Sequence, residues 1–286
     1  EGVTPHFHIP DVAGAVTFPI DADSSLSEGC LTVVPTALKS DDSAANRSRE
    51  GTLYMVSRRH PPGGEIDVNA VIVGATTITA QQIQGTFAVV KEALVAGGAP
   101  TIGLIHTKNH PWEHTVIDTE GSEINKLRAS YTTQDQKRLN VYFVQDFNEE
   151  GTLGFAAGMP GPNGVHGTPR SGLVISVDTH MDENNVIDTK MMGETIAHEI
   201  GHQLGLFHTT EEDGEQDVLD DTAECTKEQH DANRDGKLSA EECERHGAHN
   251  LMFWTAFDDA SQSQRELSAT QTMILSVSPI ARQGDE

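Results

Sequence analysis

Residues 198–208 read HEIGHQLGLFH, and no other stretch constrains the fold of this chain as tightly. On a helix, the i, i+4 spacing sets His198 and His202 one turn apart on one face, where both imidazoles reach a single ion. Glu199 lies beside them. Gly205 is the expected end of that helix, because glycine accepts the left-handed conformation that turns a chain sharply. The turn carries His208 back as a third ligand. Three neutral imidazoles leave the fourth tetrahedral position to water, the mark of a catalytic rather than a structural zinc site. Zinc lowers the pKa of such a water to about 7, and Glu199 is placed to take its proton.

The H-E-x-x-H-x-x-G-x-x-H pattern, followed downstream by Asn250-Leu251-Met252-Phe253, resembles the metzincin metallopeptidases. That group shares the extended zinc motif and a methionine-containing turn beneath the metal. The resemblance implies a zinc-dependent endopeptidase that hydrolyses peptide bonds with water activated by Glu199. Met252 is then a floor under the histidines and not a ligand. An α+β fold is implied as well: a mostly parallel twisted sheet, an antiparallel edge strand that pairs with substrate, a backing helix, an active-site helix and a C-terminal helix after the turn. Asp217, Asp220, Asp221 and Cys225, in the segment after His208, look most like the pappalysin-type branch. Some metzincins place a Tyr two residues after the turn methionine to assist the transition state. Here that position is Trp254, so the extra donor is in doubt.

The rest of the chain supplies candidates for these elements. Residues 1–50, rich in Pro, Asp, Ser and Gly, read as an N-terminal extension with short apolar runs at 15–20 and 31–34; the catalytic domain is expected over 51–286. AVIVGA at 70–75 is a short apolar run of the buried-strand kind. Thr79 and Gln82 form a capping box for a helix whose Ile83, Phe87, Val90 and Leu94 recur at helical spacing and which Gly97-Gly98 stops. Strands are expected at 101–106, 139–145 and 173–177, with a glycine-flanked edge strand at 153–157. A strand, helix, strand order means a largely parallel sheet. Ser268 and Gln271 form a second capping box, opening a helix that ends before Pro279.

DANRDGKLSAEE at 231–242 matches the EF-hand loop pattern within an insertion at 226–246. Asp231, Asn233 and Asp235 would offer side-chain oxygens to calcium, Lys237 its carbonyl, Ser239 a direct or water-mediated contact and Glu242 two oxygens. With short flanking helices, a structural clamp is expected rather than a sensor. Three cysteines allow one internal disulfide. Cys225 and Cys243 are the expected pair because they bracket this acidic segment; Cys30 is left free or intermolecular. Such a pairing implies a secreted protein, and three reduced thiols a cytosolic one.

Asp and Glu total 44 against 19 Lys and Arg, and the formal charge of −25 repels nucleic acid and anionic membranes alike. No apolar run is long enough to span a membrane. The expected partner is a protein or peptide substrate, and the chain as it stands reads as mature and soluble. His106, His110 and His114 recur every four residues, but Pro111 interrupts any helix there, so they read as surface histidines. Asn46-Arg47-Ser48 is a glycosylation sequon, meaningful only in a eukaryotic secretory pathway. Two other functions use the same residues: a zinc amidase acting on non-peptide bonds, and a calcium-dependent binding or adhesion module. The second has no use for Glu199.

Overall fold

The computed structural model describes residues 63–283 except 121, 134–136, 258 and 260. The N-terminal extension with its apolar runs, Cys30 and the sequon, as well as the boundary near residue 51, lie outside the described residues. In chain order the elements are β1 (Glu65–Val73), α1 (Ala80–Ala96), β2 (Thr101–His110), β3 (Val116–Ile117), α2 (Glu123–Ser130), β4 (Leu139–Val144) and β5 (Asp146–Phe147). They continue with β6 (Gly154–Phe155), β7 (Leu173–Ser176), a 3₁₀ turn (Asp178–His180), α3 (Thr189–Leu204), α4 (Lys227–His230), α5 (Ala269–Ser276) and β8 (Ala281–Arg282).

The main sheet runs β2-β1-β4-β7-β6, with β8 against the start of β1. β1, β2, β4 and β7 are mutually parallel, while β6 is antiparallel to β7 and closes the edge. The architecture is therefore mixed, with a mostly parallel sheet. Alternation along the strands explains the continuous apolar runs. Val68, Ala70, Val141 and Phe143 face α1 and α3, whereas Val71, Val73, Tyr142 and Val144 face Ile124 and Leu127 of α2. Both faces are covered, so neither needs polar residues.

Both capping boxes form: Thr79 with Gln82 opens α1, and Ser268 with Gln271 opens α5. Such caps satisfy amides that the first turn leaves unpaired. β1 begins well before the apolar run. Its early residues alternate buried Ile66 and Val68 with Glu65 and Asp67, and the two carboxylates pair with Arg282 of β8 at 3.0 and 2.9 Å. That partner is distant in sequence, so the local pattern carries no trace of it. α2 and the two-residue strands β3 and β5, which form a small sheet of their own, are likewise absent from the sequence reading.

The insertion after His208 has its own small core of Cys225, Leu238, Ala240, Cys243, Ala248 and Phe253. The Cys225–Cys243 disulfide lies in it, with Cα atoms 5.8 Å apart and both side chains fully buried. One short helix, α4, precedes residues 231–242, and a run of turns follows them where a second short helix is expected. Among the described residues, no helix is long and apolar enough to cross a membrane.

Candidate metal centre and active site

α3 presents the site. Asp188 caps it by accepting from the amides of Lys190 and Met191 at 2.9 and 3.0 Å. Gly205 ends it at φ 120°, in the left-handed region that a side chain would disfavour. Past that turn the chain doubles back and brings His208 to the other two histidines. The Nε2 atoms of His198 and His208 stand 3.2 Å apart, and those of His202 and His208 3.0 Å apart.

Each ring's far nitrogen is spoken for. His198 Nδ1 donates to the Leu251 carbonyl at 2.7 Å, His202 Nδ1 to the Leu206 carbonyl at 2.8 Å, and His208 Nδ1 to Glu211 Oε2 at 2.9 Å. A carbonyl can only accept, so the ring proton of His198 and of His202 sits on Nδ1 and each Nε2 keeps a bare lone pair. Burial, then His202 and His208, holds His198 well below the usual histidine range, and burial followed by His208 brings His202 down to about 4. These rings stay neutral at pH 7. Converging lone pairs repel one another unless a cation stands between them. Zinc to nitrogen bonds of about 2.0–2.1 Å in a tetrahedron would separate the nitrogens by about 3.3 Å. The donor set fits that ion closely.

Glu199 is buried beside the triad. The Ala156 N–H, just past β6, lies close to its carboxylate. Burial pushes the carboxyl up to about 7, and the Ala156 amide and the Arg128 charge pull the other way. A dication next to it would lower it further. Met252 is fully buried against the helix: a Cβ on Gly201 would lie 2.3 Å from its Sδ. The turn residue thus packs against α3 at Gly201, and the carbonyl of its neighbour Leu251 accepts from His198.

Among the described residues, the triad is the one group of three or more His, Cys, Asp or Glu whose ligand atoms converge closely enough for a metal. His106, His110 and His114 do not come together as ligands, and His106 and His110 lie on β2. Among the described residues, no three of the carboxylates of 231–242 bring their oxygens within 4.8 Å of one another. Trp254, two residues after the turn methionine, donates its indole N–H to the Leu238 carbonyl at 2.7 Å. Its donor is committed to the insertion. Sequence reading missed Glu211 and Arg128. Glu211 follows His208 at i+3 and its carboxylate is the kind of group that orients a metal-binding imidazole. Arg128 lies on a helix the sequence does not announce.

Comparison with known proteins agrees with this geometry. The model of Metallo-peptidase family M12 matches residues 104–256, more than half of the chain. The chain belongs to metallopeptidase family M12, and the resemblance of its zinc motif to the metzincins holds at that level. Its class is that of a zinc metallopeptidase. Among solved structures it is similar to metalloproteinase-II from Bacteroides fragilis, with 15% identity, a TM-score of 0.44, and 78% of this chain and 55% of that one covered. It is also similar to mirolysin, with 16% identity, a TM-score of 0.45 and coverages of 75% and 91%. For archaemetzincin from Methanopyrus kandleri the values are 14%, 0.36, and 52% and 78%. The chain thus spans little more than half the length of metalloproteinase-II. No curated protein matches the sequence.

Proposed function

We propose that this chain is an endopeptidase in which His198, His202 and His208 hold zinc and Glu199 is the general base. The observation that carries the reading is the convergence of three Nε2 lone pairs beside a buried carboxylate. Zinc held there would supply Lewis acidity to the attacking water and to the scissile carbonyl. Glu199 takes the water's proton and returns it to the leaving amine, so one carboxyl group closes the proton balance. The Ala156 N–H is turned toward the carboxylate while it does so.

Substrate is expected to lie along β6. The Leu153 carbonyl accepts from the Ser176 amide at 3.1 Å, so alternation turns the N–H and C=O of Gly154 away from β7. Further along, Phe155 O, Ala157 N and Ala157 O are taken by Arg128, Gln203 and Arg170 at 3.0, 3.1 and 3.1 Å. Pairing near Gly154 therefore suits an extended peptide next to Glu199. A peptide-library cleavage profile with and without a zinc chelator tests the function. Internal cleavage that the chelator abolishes and zinc restores is expected. Chelator-insensitive cleavage, or turnover of non-peptide amides alone, would overturn it.

The finer assignments belong to the same proposal. A buried disulfide supports a secreted location, and the segment after His208 supports the pappalysin-type branch. Calcium is proposed at 231–242. Asp231 Oδ2 accepts from the Gly236 amide at 3.1 Å, and Glu242 accepts from the amides of Ala232, Asn233 and Ser239 at 2.8, 3.2 and 3.0 Å. Asp231 Oδ1 is buried with no partner among the described residues. Calcium at a hundred times its Kd would stabilise the fold by roughly 2.7 kcal/mol. A calcium-selective chelator with zinc kept saturating is expected to lower Tm before it lowers rate, as is Asp231→Ala with Glu242→Ala. Unchanged Tm and rate in both would leave the loop a bare acidic turn.

A further inference from the structure

Arg128 is 3% exposed, although it carries a guanidinium. A buried cation is costly unless its charge and donors are used. Of its five N–H donors, the Nη2 group bonds the Phe155 carbonyl at 3.0 Å, and Nε has no partner among the described residues. The end of α2 is pinned as well, since the Arg128 carbonyl accepts from Ser171 Oγ at 3.2 Å and from the Tyr142 hydroxyl at 3.4 Å. The guanidinium is therefore delivered to one place, the carbonyl side of the peptide unit joining Phe155 to Ala156.

The other side of that peptide unit faces the active site. It is trans, so its carbonyl and its N–H point in opposite directions. The carbonyl accepts from Arg128, and the N–H of Ala156 is turned toward the Glu199 carboxylate. A Cβ placed on Gly154 would stand 3.1 Å from Glu199 Cγ, so the base lies directly against this strand. Cation, peptide dipole and anion are aligned head to tail, each favouring the next. Burial lowers Arg128 to about 10, and Tyr142 and Glu199 are the groups that offset it.

We propose that Arg128 is a positioning residue that acts through the Phe155–Ala156 peptide to hold Glu199 in its catalytic orientation. The inference rests on the reading of Glu199 as the base. The guanidinium never touches substrate; it fixes the tilt of one peptide plane, and that plane fixes the carboxylate. Sequence neighbours contribute nothing to this arrangement, because Arg128, Phe155 and Glu199 come from three separate elements.

The test compares Arg128→Met and Arg128→Lys in the full chain, each alone and with Glu199→Gln. Arg128→Met is expected to lower kcat by about tenfold to a hundredfold with KM and zinc content near wild type, the usual effect of losing a residue that orients an active group. Arg128→Lys keeps the charge and one donor and should recover most of that loss. In the Glu199→Gln background, Arg128→Met should cost nothing further. A persistent loss in that background, or equal losses in Lys and Met variants that track a fall in Tm, would overturn the proposal. Should Arg128→Met fail to fold, hydrogen exchange at the Ala156 amide decides. Faster exchange in Arg128→Gln than in wild type is expected, and unchanged exchange would overturn the proposal. Wild-type activity in Glu199→Gln alone would instead remove the base assignment itself.

Discussion

Glu199→Gln is expected to lower kcat/KM by about a hundredfold to ten-thousandfold while zinc content stays at the wild-type level. The amide has the shape of the carboxylate and keeps the Cγ that packs against Gly154, so the strand and helix keep their contact. None of the three ring acceptors, Leu251 O, Leu206 O and Glu211, is touched. What is lost is the ability to take a proton and give it back. Peptide hydrolysis and elemental zinc analysis on the same preparation check both halves. More than a tenth of the wild-type kcat/KM would refute the assignment.

Gly201→Ala is expected to destabilise the fold and loosen the metal site together. A methyl there would lie 2.3 Å from Met252 Sδ and 3.1 Å from Met252 Cε, inside a fully buried contact. Overpacking of this kind costs about 1–3 kcal/mol, and in a chain of this size each kcal/mol lowers Tm by about 2–4 °C. Pushing Met252 away also drags Leu251, whose carbonyl orients His198. Thermal unfolding should therefore show a fall of several degrees, with weaker zinc retention in a competition assay. Adding Met252→Ala makes room for the methyl, so the two changes should be less than additive. Additivity within about 0.5 kcal/mol would show that the contact is not the cause.

The parts of the molecule that depend on near neighbours were legible in the sequence. Both capping boxes, the Gly205 turn and the one-turn spacing of His198 and His202 are local geometry, and they appear where the residues place them. β6 could be read because glycines flank a short apolar run. α2 could not: only Ile124, Leu127 and Arg128 are buried, and Ser122 makes no side-chain cap. The early part of β1 escaped for a related reason, since Glu65 and Asp67 look like loop residues until Arg282 arrives from the other end of the chain. In the site, the ligands and base were readable as a pattern, whereas Glu211, the Leu251 carbonyl and Arg128 orient that pattern through space. The acidic loop shows the converse. Its residue types are those of a calcium site, but residue types alone do not bring carboxylates to one point.

The buried bridge between Cys225 and Cys243 has a consequence for wear. A peptidase held at high concentration is exposed to its own kind, and the acidic loop is among its more solvent-exposed stretches. A cut anywhere between the two cysteines leaves the polypeptide in two pieces but the molecule in one. The downstream piece carries Leu251, Met252 and the C-terminal helix, and it stays tethered beside the segment that bears His208. Damage there is silent until a reductant separates the halves, so an old preparation and a fresh one would differ in a reducing gel long before they differed in size in solution.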